Sequence, residues 1–354
     1  MGDGNDASAE LEDRLLRAAA EGTPLDIVGG GSKSFLGRTT QGEPFDVHAH
    51  RGIVAYEPTE LVITSRAGTP LAEIEAVLTD SGQMLAFEPP HFGATATLGG
   101  TVASALSGPR RPYAGAVRDF VLGIKVLSGE GRTLTFGGQV MKNVAGYDVS
   151  RLMVGAMGTL GVLLEISLKV LPLPAHTTTL SFAVKAAAAI ERMNAWAAKP
   201  LPLSGAYHEK RRLYARLSGT AGGVAQAVER LGGDVVEDAH RWHDLREHSL
   251  EHFGAGAPLW RLSVPPATPP LALPGETLID WGGALRWLKS ECQGKEIRAA
   301  VAEVGGHAML YRHGSREGEV YHPLDGTLLR LHQRLKASFD PKGILNRGRM
   351  YADL

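Results

Sequence analysis

The chain has 354 residues, 44% of them apolar, which is enough to bury a sizeable core in two domains. Lysine and arginine number 37 against 38 acidic residues, for a formal net charge of -1, so nothing steers the chain toward nucleic acid or an anionic membrane surface. The one cysteine, Cys292, excludes an intrachain disulfide and a thiolate set for an iron–sulfur cluster.

Residues 1–7 read as a lead without structure, and Leu11, Leu15, Leu16 and Ala19 form one face of a helix that Gly22 stops. A strand over 25–28 runs into Gly29-Gly30-Gly31-Ser32-Lys33. A second strand over 61–65 precedes a helix with Thr69 as N-cap and Pro70 at its first position. Leu71, Ile74, Val77 and Leu78 make its buried stripe, and Gly82 ends it. Small residues over 94–108 describe a loop entering a short, tightly packed helix. The runs 121–127 and 133–136 flank Ser128-Gly129-Glu130-Gly131 as a hairpin, and 162–171 is a long strand. Short strands and helices without a strict strand–helix–strand repeat predict an α+β fold.

Pro172 and Pro174 mark a boundary. Beyond it the pattern predicts a strand over 178–184, a helix over 186–198, a strand over 213–217, a helix over 223–231 and a strand over 234–237. That rhythm resembles a ferredoxin-like cap. Residues 263–275, with five prolines, read as a loop. Strands near 277–281 and 308–312 follow, then an amphipathic helix through Leu324, Leu328, Leu331 and Leu335. No internal repeat is visible. The divisions expected are 1–172, 173–320 and a 321–354 segment that returns to the first. No apolar run reaches the about 18 residues of a spanning helix, and the acidic start MGDGNDASAELEDRLL lacks the pattern of a secretory leader. The expectation is a cytoplasmic chain without direct membrane insertion, any contact with the inner face of the cytoplasmic membrane coming through partners.

The loop VGGGSKS leaves a strand with consecutive glycines, so that backbone N–H groups can converge on an anion while Lys33 adds charge. A diphosphate is the natural guest. The loop is neither a Walker loop, because Ser32 separates Gly31 from Lys33, nor a dinucleotide GxGxxG, because Ser34 stands at the third glycine. A flexible turn is the alternative. A second cluster, EPPHFGATATLGGTVASALSG, places Pro89 and Pro90 before Gly93, Gly99 and Gly100, with hydroxyls at Thr97, Ser104 and Ser107. Its alternative is a glycine-rich helix contact.

These two clusters, with EPTELVITSRAGTPLAEIEAVL, KNVAGYDVSRLMVGAMGTLG and the tail FDPKGILNRGRMY, resemble the FAD-binding domain of the vanillyl-alcohol oxidase (PCMH) type. Within that group the chain is similar to the family of FAD-binding E subunits of bacterial glycolate oxidases. The resemblance implies a two-subdomain FAD-binding domain, a cap domain and a C-terminal return. It implies that Gly29, Gly30, Gly31, Ser32 and Lys33 hold the pyrophosphate with the segment carrying Pro90, Gly93, Thr97, Leu98, Gly99, Gly100, Ser104 and Ser107. Gly108, Tyr113 and Gly115 fall where family members close the pocket, and Gly161 and Val162 at a strand start that contacts the adenine or flavin end. No histidine stands in the first loop to bond the ring, so the FAD is expected to be non-covalent.

Oxidising a 2-hydroxy acid needs a cation for the carboxylate, a base for the hydroxyl proton and the Cα–H against the flavin. Related dehydrogenases carry the signatures HGxGN-x-H and EHGxG. Neither is present, and Gly305-Gly306-His307 is the nearest fragment. His91 is a candidate to reach the ring or merely caps a loop. Arg110 and Arg111 are candidates for a carboxylate or a partner, or form a solvated face. His307 and Arg312 point to opposite faces of a strand. His240, His243, His248 and His252 recur without a metal-ligand pattern. No catalytic residue and no metal site is assigned. Two departures stand out. Met157 replaces the glutamate of SEGTLG, which weakens a catalytic role for this flavin, and Arg347 replaces the proline of LNPGR.

The function expected from the resemblance is the FAD-binding subunit of a glycolate oxidase or dehydrogenase complex, oxidising glycolate to glyoxylate with a companion FAD subunit and an iron–sulfur subunit. The alternatives are a self-sufficient flavin oxidase of another small alcohol or hydroxy acid, and a scaffold without catalysis.

Overall fold

The computed structural model describes residues 4–138, 148–238 and 240–354; the expected motif at 142–147 lies outside the described residues. A five-stranded antiparallel sheet is ordered Ile53–Glu57, Val62–Arg66, Val162–Lys169, Val121–Leu127, Thr133–Gly137. Alternation along these strands sends Ile63, Ile124, Val126, Ile166 and Leu168 into a core with Leu71, Ile74 and Leu78 of the helix Leu71–Asp80 and with Leu98 and Val102 of the helix Leu98–Ser104. On the other side, Leu11 and Leu15 of the helix Ser8–Glu21 pack with Leu25, Phe45, Val162 and Leu164. The strand Leu25–Val28 pairs in parallel with Glu43–Asp46.

The helix over 71–80 starts differently from its expected cap. Pro70 is the N-cap. The Thr69 hydroxyl instead accepts from Gly52 N–H at 2.8 Å and bonds Ser65 Oγ at 2.8 Å, which pins the strand end beside the helix.

The C-terminal segment packs against the first part of the chain. Ile344 and Leu345 enter the core with Leu11 and Leu25, and Leu25 bridges Leu345 in parallel. Buried Lys336, on the helix Gly326–Phe339, donates to Thr159 O, Asp340 Oδ2 and Leu345 O at 2.8, 2.7 and 2.6 Å. The leucine stripe of that helix is buried only toward its end: Leu335 packs on the first core, whereas Leu328 and Leu331 are 44% and 52% exposed.

Residues 176–312 build an eight-stranded sheet. Its first half is the strand His176–Ala183, the helix Ala186–Ala197, the strands Leu203–Glu209 and Arg212–Gly219, the helix Ala221–Leu231 and the strand Asp234–Val235. With strands numbered in chain order their positions are 4-1-3-2, the ferredoxin-like arrangement. The second half, Leu259–Ser263, Glu276–Asp280, Leu285–Lys289, the helix Gly294–Glu303 and His307–Arg312, reads 2-3-1-4, the same order viewed from the opposite edge. The structure thus holds a repeat that the sequence reading missed. The proline loop over 263–275 replaces the first helix of the second half, and the repeat is one of topology, with no shared motif to reveal it. The two halves join where His208 pairs with Ile279.

Candidate functional site

The first cleft opens where the strand Leu25–Val28 ends. Among the described residues, no acceptor is available to the backbone N–H groups of Gly29, Gly30, Gly31, Ser32 and Lys33. Five adjacent free donors beside one cation are the donor set of an anion site. Gly31 adopts φ 70°, which turns the loop. Gly30 presses on the second glycine segment: a Cβ there would lie 1.3 Å from Thr95 O, and Thr95 Oγ1 donates to Gly30 O. Thr97 Oγ1 accepts from Gly100 N–H at 3.2 Å, starting the helix Leu98–Ser104 against the same loop.

The cleft encloses about 900 Å³, counting space open to solvent. Gly29 to Lys33, Thr97, Gly99, Gly100, Ser104, Gly161 and Val162 line it, so eleven of the residues singled out in the sequence meet on one surface. Apolar walls come from Ile27, Val47, Ala103 and Leu163. This combination suits an elongated cofactor with a charged middle and flat apolar ends, and the residues fit FAD. Lys33 is only 8% exposed; burial pushes its ammonium down to about 8, partly countered by Glu247. Its Nζ donates to His91 O at 3.2 Å.

The tail supplies lining residues that the sequence reading missed. Asn346 Oδ1 accepts from Ile27 N–H and its Nδ2 donates to Met157 O, both at 2.6 Å, and Arg349 stands beside it on the cleft. The motif LNRGR was visible, but its distance in sequence hid its contact with residue 27.

The remaining singled-out residues lie elsewhere. Leu98 is buried in the core. Gly93 adjoins Ser32: a Cβ added to the glycine would lie 3.8 Å from the serine Cβ. Tyr113 packs toward the second sheet, and Gly115 turns at φ 111° against Asp119 and Phe120. Pro90, Ser107 and Gly108 border a second, narrower cavity.

This second cavity forms between residues 90–109 and the inner face of the eight-stranded sheet. Alternation decides which side chains reach it: Trp260, Leu262 and Leu310 pack on the outer helix side, whereas Arg261, Asp280, Leu285, Trp287 and Tyr311 face inward. Trp281 Nε1 donates to Gly108 O at 3.0 Å, and its indole lies between Arg111, 4.3 Å from the ring centroid, and Arg261, at 5.0 Å. Burial pushes the Asp280 carboxyl up to about 7, against the opposing pull of the Trp281 N–H and Arg216. His248 stacks on Phe253 at 3.9 Å; its Nδ1 is buried without a partner among the described residues, and burial holds the ring well below the usual histidine range.

The adjacent arginines are not a solvated face. Arg110 Nε donates to Glu88 Oε1 at 3.1 Å, and Arg216 Nη2 reaches the same carboxylate at 2.8 Å from the eight-stranded sheet. Nearby, Glu247 accepts from His91 N–H at 3.1 Å and Phe92 N–H at 2.8 Å. His91 turns its ring to Glu75, 2.9 Å away, and lines neither cavity. Arg312 lies over Phe35 and Phe92 at 4.1 and 4.6 Å. Among the described residues no group of three histidine, cysteine or acidic side chains is placed to hold a metal, and no helix is long and apolar enough to cross a membrane.

Comparisons with known proteins agree with the cleft. The family described as FAD binding domain matches residues 6–137. The glycolate oxidase subunit GlcE of Escherichia coli (strain K12) is 50% identical over 349 residues, 99% of each chain. A D-lactate dehydrogenase of Archaeoglobus fulgidus is 34% identical over 149 residues, 41% of this chain and 32% of that one. GlcD of Bacillus subtilis (strain 168) is 40% identical over 84 residues, 24% of this chain and 18% of its own. A crystal structure of p-cresol methylhydroxylase with substrate bound shares the fold, with a TM-score of 0.72 and 16% identity over 99% of this chain and 88% of the other. The free-donor cleft, the PCMH-type fold and the full-length match together place this chain in the FAD-binding family of glycolate oxidase E subunits.

Proposed function

We propose that the chain is the FAD-holding subunit of a heteromeric glycolate oxidase, taking part in the oxidation of glycolate to glyoxylate and passing electrons to an iron–sulfur partner beside a companion flavin subunit. The observation that carries the reading is the continuity of residues 97–109. They line the first cleft up to Ser104 and the second cavity from Leu106 to Pro109. A cofactor with its diphosphate at Gly29 to Lys33 and its ring end toward the second cavity would follow that segment. The free N–H groups and Lys33 hold the phosphates, Thr97 and Ser104 supply hydroxyls, and the first loop offers no histidine for a covalent link. When bound, FAD supplies a two-electron acceptor. With Cys292 as the one cysteine, onward transfer to iron–sulfur chemistry falls to a partner. The paired match to relatives named as subunits E and D supports an assembly.

A self-sufficient oxidase is the second reading, favoured by the charged groups of the second cavity. The visible spectrum of the separately purified chain, followed by aerobic incubation with glycolate with and without its partners, separates the two. A yellow chain that releases its flavin on acid precipitation, and turns over glycolate to an acceptor only with its partners, supports the proposal. Steady peroxide formation by the chain alone supports the second reading, and a colourless chain that takes up no added FAD overturns both.

A further inference from the structure

The second cavity contains an unusual cation. Arg261 projects from the strand Leu259–Ser263 onto its wall and, among the described residues, has no side-chain ion pair or hydrogen bond; its guanidinium lies over the face of Trp281 and is drawn electrostatically toward Asp280. The side chain of Arg111, over the same indole, likewise has no ion pair or hydrogen bond among the described residues, whereas three neighbouring arginines are engaged. Arg246 pairs with Glu247 at 2.8 Å, and Arg110 and Arg216 share Glu88. A half-buried guanidinium without an acceptor keeps its donors for an incoming group, and a ligand carboxylate is the partner its planar fork fits.

On the same wall stand the Asp280 carboxyl and the rings of His248, Trp287 and Tyr311. We propose that this cavity is a 2-hydroxy-acid site of the chain itself, in which Arg261 anchors the substrate carboxylate and Asp280 accepts the hydroxyl proton. This rests on the reading of the chain as a hydroxy-acid-oxidising flavoprotein, and it places substrate at this chain's own flavin as well as at any companion subunit.

In this step the substrate O–H bond breaks and its proton passes to an Asp280 oxygen. Bound FAD would supply the two-electron acceptor that takes the Cα hydrogen with its electron pair as the C=O bond forms, so that glycolate would become glyoxylate. His248, held neutral by burial, adds no charge to the wall. The cavity holds about 350 Å³, counting space open to solvent, and its aromatic walls lower the local dielectric, which strengthens the pairing of Arg261 with a carboxylate.

Asp280 is suited to the proton transfer because its carboxyl titrates at about 7. The groups that face it are Glu88, which raises it, Arg216 and the N–H groups of Trp281 and Trp287, which lower it, and the Tyr113 hydroxyl and Arg261. The base is the ionised form. Flavin reduction by glycolate therefore rises with pH through about 7 and then levels.

The test uses the FAD-loaded chain and two probes, oxalate for binding and glycolate for reduction under anaerobic conditions. Oxalate binding is read from tryptophan fluorescence, since Trp281 touches Arg261, and from displacement of the flavin band. Arg261→Met is expected to weaken oxalate about 10- to 100-fold, with part of the loss restored in Arg261→Lys. Asp280→Asn is expected to bind oxalate within a few-fold of the parent, to slow flavin reduction about 100-fold or more and to lose the rising limb of the pH profile. Flavin content and near-ultraviolet circular dichroism of each variant identify any that has not folded, and Arg261→Lys covers such a failure of the methionine variant. The inference is overturned if oxalate binds Arg261→Met as tightly as the parent, if Asp280→Asn is reduced at the parent rate, or if the yellow parent neither binds oxalate nor bleaches with glycolate. In that last case, assembly with partners and glycolate turnover by the complex would leave the proposed function standing.

Discussion

Replacing Gly30 by alanine tests whether the two glycine segments act as opposed walls of one cleft. The added methyl would sit 1.3 Å from Thr95 O and 2.4 Å from Thr95 C, both backbone atoms, so no rotamer change relieves it. Reaching ordinary contact requires the walls to part by about 2 Å, and the hydrogen bond from Thr95 Oγ1 to Gly30 O is lost with that movement. Overpacking of this kind costs about 1–3 kcal/mol and the lost bond about 1 kcal/mol. Without cofactor the loops can spread, but a bound diphosphate requires both walls in place, so most of the cost falls on binding. About 2–4 kcal/mol corresponds to a loss of about 30- to 1000-fold in FAD affinity. The assay is titration of the flavin-stripped chain with FAD, followed by flavin fluorescence, with thermal unfolding of the same samples. Gly22→Ala is the control: its φ is 71° with nothing within 4 Å, so it carries only backbone strain of about 1 kcal/mol and leaves FAD affinity unchanged. A Gly30→Ala chain with parent FAD affinity and an unchanged unfolding midpoint would refute the opposed-wall geometry.

Two further outcomes follow from buried charges. Lys33 has a folded-state pKa of about 8, below its ordinary 10.5, so between these values the unfolded chain holds more protons and the FAD-free protein gains stability as pH rises. Cofactor binding responds in the opposite sense, because the phosphates prefer the charged lysine: FAD affinity falls as pH passes about 8, and titrations on either side of that value show the drop in the parent and not in Lys33→Met. Glu88, held by Arg110 and Arg216, lies below its ordinary 4.5, so its ionised form stabilises the fold above that value and the benefit disappears as pH falls through the folded-state pKa. Glu88→Gln leaves two enclosed guanidinium groups without their carboxylate and is expected to lose about 3–5 kcal/mol in urea unfolding at neutral pH, with the difference from the parent shrinking in acid.

The cofactor half of the molecule was legible because its signals are local. A strand followed at once by three glycines, or a threonine two residues before a glycine pair, declares its turn within a few positions, and Gly29 to Lys33 and Thr97 to Ser104 meet on one surface. What stayed hidden depends on contacts between distant segments. The strands Leu203–Glu209 and Leu285–Lys289 went unread because the first contains Gly205, and the second places Arg286 in a buried position where its guanidinium donates to Gly283 O and Thr268 O at 2.8 and 2.7 Å. An arginine breaks the apolar pattern only for a reader who cannot see those carbonyls. Arg261 and Asp280 were likewise invisible as a pair, since nothing in LWRLS or TLIDW says that the two strands share an inner face. Arg110 and Arg111 look like surface residues until Glu88 and Trp281 are found beside them.

The seam at His208 and Ile279 gives the eight-stranded sheet a mechanical character. Each half is braced by its own longer ladders, whereas the halves share a single registered pair, the narrowest joint in the sheet. The half ending at that seam carries Arg216 and is moored to Glu88; the half beyond it carries Arg261, Asp280, Trp287 and Tyr311. The half beyond it is moored as well, through the indole of Trp281 on Gly108 O, so the sheet is clamped to the first domain on both sides of its narrowest joint and the two clamps, rather than the seam, fix the width of the chamber around Arg261.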